Sequence, residues 1–134
     1  MIFLDFTPAQ IAGIAVALVV GITFHEFSHA FIADQLGDYR PRALGRVTLN
    51  PVAHIDPIGA LVFLIAGFGW GKPVPVNIYA LRPGRIGMAL VSAGGPIANV
   101  VVAIAAAYPT IGGTAPAAPP MTMFWSVERF SQPV

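Results

Sequence analysis

Five consecutive residues, His25, Glu26, Phe27, Ser28 and His29, set two imidazoles four positions apart with a carboxylate beside the first. On an α-helix, positions i and i+4 lie one turn apart on one face. Two imidazoles so placed can share one zinc ion, and zinc lowers the pKa of a coordinated water to about 7. Glu26 is then placed to take a proton from that water and pass it to a departing amine. That is the mechanical content of the HExxH pattern. The expected metal ligands are therefore His25 and His29, and the expected acid/base is Glu26. The bland alternative is an ordinary helix end whose polar face meets water. It would keep ionisable groups in an apolar helix without use, at about 2.5–3.5 kcal/mol for each charged type.

A catalytic zinc usually takes three protein ligands and a water. The chain has no cysteine, so every ligand must come from His, Asp or Glu. Asp34 lies five residues beyond His29, about 140° further round a helix. Asp38 lies past the expected helix end. His54 and Asp56 sit in a loop that could fold back to the metal, and they read equally well as turn and capping residues ahead of Pro57. Glu128, next to Arg129, reads as a solvated charge near the end of the chain.

The elements that must carry these residues are apolar. Of the 134 residues, 56% are hydrophobic and 10% charged, against about 25% charged in a soluble domain. Mean hydropathy is +0.75, and lipid is the expected solvent. A net charge of +1 gives no reason to expect a nucleic-acid partner. The opening MIFLDF lacks the basic start of a signal peptide, so the first apolar segment is expected to be retained. Phe6 to Phe24 is uncharged and close to the ~20 residues that cross a bilayer. One long helix is expected from Pro8 to about Leu36, with Pro8 in its first turn and Gly37 at its C-terminal cap.

Ala43 to Asn50 is expected to form a short strand at the membrane edge, and Pro51 and Pro57 to bracket a loop. Pro57 to Gly71 is apolar but short for a span, which suggests a short or re-entrant element. The prolines and valines of GKPVPVN favour extended backbone. Gly87 to about Tyr108 is the second full span, with Gly94, Gly95 and Pro96 expected to weaken or kink its start. Pro109 to Pro120 reads as a loop, and MTMFWSVERFSQPV as an interfacial tail. Arg40, Arg42 and Arg46 follow the first helix and mark its end as cytoplasmic. His29 would then lie about 10 Å deep from that face.

Four blocks now fall in order. HEFSHAFIADQLGD (His25 to Asp38), GRVTLNPVAHIDPIG (Gly45 to Gly59), FGWGKPVPVN (Phe68 to Asn77) and SAGGPIANVV (Ser92 to Val101) together resemble the site-2 protease family of intramembrane zinc metalloproteases, in its short bacterial and archaeal branch. The resemblance covers roughly residues 20–105. It implies an all-α membrane protein, a polytopic helix bundle with short strands or loops at the membrane face, in a prokaryotic cell membrane. It implies Zn2+ held by His25 and His29, Glu26 as acid/base, and hydrolysis of peptide bonds in or near the transmembrane helix of a membrane protein or peptide substrate. Asn99 and the glycines before it would help to pack the core.

The family's third ligand is an aspartate in a later block resembling NxxPxxxLDG, and the last aspartate here is Asp56. One expectation is a single site-2-protease-like domain without its C-terminal helix. The other is a chain that binds metal differently, through Asp56 or His54, and serves as an inactive scaffold that binds partner helices.

Overall fold

The computed structural model describes residues 6–111. The chain divides into two compact units, residues 1–102 and 103–134. All of the expected site residues belong to the first. Of the second, residues 103–111 are described, and they are helical. Most of the Pro109 to Pro120 loop, the interfacial tail and Glu128 lie outside the described residues, as does most of the MIFLDF start. Four helices follow one another: α1 (Pro8–Gln35), α2 (Arg40–Ala43), α3 (Pro57–Ala66) and α4 (Arg85–Ile111), with a 3-10 turn at Pro51–Ala53.

α1 begins where its sequence says it should. Thr7 caps it by accepting a hydrogen bond from the Gln10 N–H, and the Gln10 side-chain oxygen accepts one from the Thr7 N–H. This reciprocal pair satisfies two otherwise orphaned N–H groups. At the other end Gly37 has φ +107°, a conformation glycine adopts without Cβ strain. The last free carbonyl, on Leu36, accepts the Arg82 N–H at 2.8 Å.

α1 and α4 are both long and apolar enough to cross a bilayer, and 6% and 17% of their most apolar stretches are buried. Val16, Val20, Ile97, Val100 and Ile104 all remain exposed. Exposed apolar surface on this scale marks a membrane or a partner interface, and a helix in lipid closes its backbone hydrogen bonds within itself and turns apolar side chains outward. α3 has ten residues, about 15 Å of rise, which falls short of the ~30 Å hydrocarbon layer. It is the short apolar element expected after Pro57.

Three expectations fail, one of them at its edge, where residues 109–111, read as the start of a loop, continue α4. Ala43 to Asn50 is no strand: Ala43 ends α2, the chain turns through Leu44 and Gly45, and the rest is irregular. Among the described residues there is no named strand, and β pairing is limited to an isolated antiparallel bridge between Ile55 and Gly71. Pro41 accounts for the helical turn, since it sits at the start of α2, where a missing N–H costs nothing. α4, in turn, runs unbroken through Gly94, Gly95 and Pro96.

A small core of Ala33, Leu81 and Val91, joined by Ile32, Leu36, Val76 and Met88, holds the end of α1 against the start of α4. This packing sets His29 beside Val91. The extended run from Lys72 to Asn77 crosses next to it and is tied at both ends. Arg46 donates to the Lys72 and Pro73 carbonyls. Asp38 accepts the Asn77 N–H at 2.6 Å.

Candidate metal centre

His25 and His29 lie on one face of α1, their ring centroids 4.7 Å apart and their planes at 82°. Each ring is held from behind by α4. His29 Nδ1 is 2.6 Å from the Val91 carbonyl oxygen, which can only accept, so Nδ1 carries the proton and Nε2 presents a lone pair. His25 Nδ1 is 3.2 Å from the Asn99 carboxamide nitrogen. Both Nε2 atoms converge on Gly95: a Cβ built there would stand 2.5 Å from His29 Nε2 and 2.6 Å from His25 Nε2. Glycine leaves the two nitrogens a shared hollow. Two imidazole nitrogens facing one hollow, each ring braced through its other nitrogen, supply two of the three protein donors that a catalytic zinc site uses.

Glu26 lines an open cavity of about 300 Å³ with His29, and Pro73, Val74 and Val76 of the extended run form part of its wall. At the head of that run, Gly71 passes close to α1; a Cβ there would meet Ile22 at 2.8 Å and Glu26 Cγ at 3.7 Å. Glu26 therefore lines a cleft together with His29, and the run after Gly71 forms part of its wall.

The remaining acidic and histidine candidates go elsewhere. Asp56 caps α3, accepting the Ile58 and Gly59 N–H groups at 2.8 and 2.9 Å. His54 is fully buried, with Nε2 2.7 Å from the Thr48 carbonyl oxygen. Asp34 is buried and paired with Arg42. Asp38 is buried and bonded to Arg40 and Asn77. Burial alone would raise its pKa, but the hydrogen bonds from Asn77 and Arg40 outweigh burial and hold the carboxyl below its ordinary value. Among the described residues no three His, Cys, Asp or Glu side chains gather as a metal site. The described residues thus bring two histidines together and add no third ligand.

Arg46 is a residue whose place the sequence did not reveal. Counted among the basic residues after the first helix, it is only 6% exposed. Its burial lowers the guanidinium pKa, while the nearby charge of Glu26 acts in the opposite sense. It lies in the GRVTLNP block, and its neighbours there gave no sign of the carbonyls it reaches 26 and 27 residues later.

These features define a helical protein with an HExxH histidine pair backed by a second apolar helix. Its relatives carry matching names. The chain is 40% identical over 101 residues to "Putative zinc metalloprotease YwhC" of Bacillus subtilis, covering 75% of this chain and 46% of the relative. It is 32% identical over 107 residues to "Putative zinc metalloprotease Rip2" of Mycolicibacterium smegmatis, and 33% identical to its namesake in Mycobacterium tuberculosis, with 72% of this chain and 40% of the relative covered in each case. The chain thus spans less than half the length of these curated relatives. No protein-family profile matches it, and no solved structure does. The similarity supports a site-2-protease-like family.

Proposed function

We propose that this chain carries the HExxH half of an intramembrane zinc metalloprotease of the site-2 type. The observation that supports this most is the convergence of His25 Nε2 and His29 Nε2 on the Gly95 hollow, with Glu26 lining the adjoining cleft. His25 and His29 hold the metal. When bound, the metal supplies Lewis acidity to a peptide carbonyl and to water. Glu26 receives a proton from the attacking water on a carboxylate oxygen. As the new C–O bond forms and the C–N bond breaks, Glu26 gives that proton to the leaving nitrogen.

The substrate is a membrane protein or peptide cleaved in or near its transmembrane segment. A helix has its backbone groups engaged with one another, so the scissile stretch must first unwind. The Lys72 to Asn77 run, fixed by Arg46 and Asp38, lies alongside the cleft where unwound substrate backbone would rest. The basic residues after α1 put the site nearer the cytoplasmic face of a prokaryotic membrane.

The test uses the chain in lipid vesicles with zinc and a set of single-span peptides that carry helix-weakening residues. Cleavage that disappears in Glu26→Gln supports the reading. Cleavage that survives Glu26→Gln, or no cleavage of any peptide by the wild type, overturns it for this chain.

A further inference from the structure

Asn99 stands out on α4. From Ala93 to Ala107 it is the one polar side chain, among alanine, glycine, valine, isoleucine and proline. It is exposed on a helix otherwise suited to lipid. A carboxamide on such a surface is costly unless another polar group satisfies it. Its partner is His25 Nδ1, at 3.2 Å. Asn99 also lies four residues, one turn, beyond Gly95 on α4. One face of α4 thus supplies both the hollow in front of the histidine pair and the group behind His25.

We infer that Asn99 is a positioning residue for His25, holding the ring through Nδ1 in the orientation that turns Nε2 toward the Gly95 hollow. The inference rests on the metal-site reading above. A carboxamide has an acceptor and a donor end, and half a turn about its last torsion exchanges them at one place. With the NH2 group toward Nδ1, the neutral ring carries its proton on Nε2, and that nitrogen has no lone pair to give. With the oxygen toward Nδ1, the proton sits on Nδ1 and the Nε2 lone pair faces the hollow. Ligation through Nε2 selects the second arrangement. His29 needs no such choice, because the Val91 carbonyl only accepts. With its oxygen turned to Nδ1–H, Asn99 braces the His25 ring as the Val91 carbonyl braces that of His29.

A packing role and a positioning role predict opposite orders for two variants. Leucine has the branching and heavy-atom count of asparagine and suits an apolar face, so packing alone favours Asn99→Leu over Asn99→Asp. Aspartate accepts from Nδ1–H and has no donor to present, so positioning favours Asn99→Asp. The experiment measures Co2+ affinity from visible absorption, on the chain in detergent, for wild type, Asn99→Leu, Asn99→Asp and His25→Ala, with helix content as a folding check. Asn99→Leu is expected to weaken binding about 10–100-fold, the usual effect of losing a hydrogen bond behind a ligating histidine. Asn99→Asp is expected to bind at least as tightly as wild type. Wild-type affinity in Asn99→Leu, or equal weakness in both variants, overturns the inference while leaving the metal site standing. Binding no different between wild type and His25→Ala overturns the metal-site reading, and this inference with it. Should either Asn99 variant fail to fold, 15N-histidine NMR of the zinc-loaded wild type decides. A His25 Nδ1 proton protected from solvent exchange by its hydrogen bond to Asn99 sustains the inference, and a freely exchanging one ends it.

Discussion

Gly95→Ala adds one carbon at the point where both histidine nitrogens converge. The added Cβ would lie 2.5 Å from His29 Nε2 and 2.6 Å from His25 Nε2, roughly 0.9 Å short of ordinary contact. Neither ring can retreat freely, since one is bonded to Val91 and the other to Asn99. Overpacking of this kind costs about 1–3 kcal/mol, and alanine in place of a helical glycine returns about 1 kcal/mol. The net loss in stability should therefore be small, at most about 2 kcal/mol. The loss in metal affinity should be large, because metal–ligand distances tolerate only about ±0.2 Å and the rings must move several times further. The assay pairs Co2+ titration with thermal unfolding in detergent, and uses Gly13→Ala and Gly21→Ala as controls, where an added Cβ meets nothing within 4 Å. Gly95→Ala is expected to lower affinity more than about tenfold, and the controls to bind as wild type. Unchanged affinity in Gly95→Ala would refute the convergence of the two rings on this hollow.

Three further outcomes are expected. Asp56→Ala should cost about 0.5–2 kcal/mol as a lost helix cap and leave metal content unchanged; a loss of metal on inductively coupled plasma analysis would make Asp56 a ligand after all. Asp38 has a depressed folded pKa, so its contribution to stability is complete above the unfolded carboxyl pKa of about 4 and is lost as pH falls through the folded value. Asp38→Asn should accordingly flatten the acid limb of a detergent unfolding curve taken below pH 4, and a limb as steep as that of wild type would count against the Asn77 and Arg40 bonds as its cause. Arg46→Met leaves the Lys72 and Pro73 carbonyls without their charged donor, a loss of about 1.5–3 kcal/mol for each hydrogen bond; amide exchange at residues 72–77 should quicken, and unchanged exchange would show that the run is held by other means.

Much of the site was legible because it is local. The His25–His29 pair sits within two helical turns, and the period of a helix alone puts both rings on one face. The limits of α1 were legible for the same reason: Pro8 and Gly37 act within a few residues of where they stand. Asp56 was ambiguous because the same carboxylate can cap a helix or bind a metal, and the structure spends it on the Ile58 and Gly59 N–H groups. The strand expected at Ala43 to Asn50 failed because Pro41 starts a helical turn there, and because a strand needs a partner ladder that spacing does not reveal. Pro96 was expected to disturb α4, yet the helix continues through it; in an apolar setting, keeping the remaining backbone bonds outweighs the one that proline removes. The roles of Asn99, Gly95 and Arg46 depend on contacts between segments far apart in sequence, which no local pattern encodes.

The most direct test of the account is zinc content per chain after purification in detergent, compared across wild type, His25→Ala, His29→Ala, Glu26→Gln and Asp56→Ala. The account predicts near-stoichiometric zinc in wild type, lost in either histidine variant and kept when Glu26 or Asp56 is changed. Zinc that survives both histidine replacements, or a wild type without zinc, would contradict it.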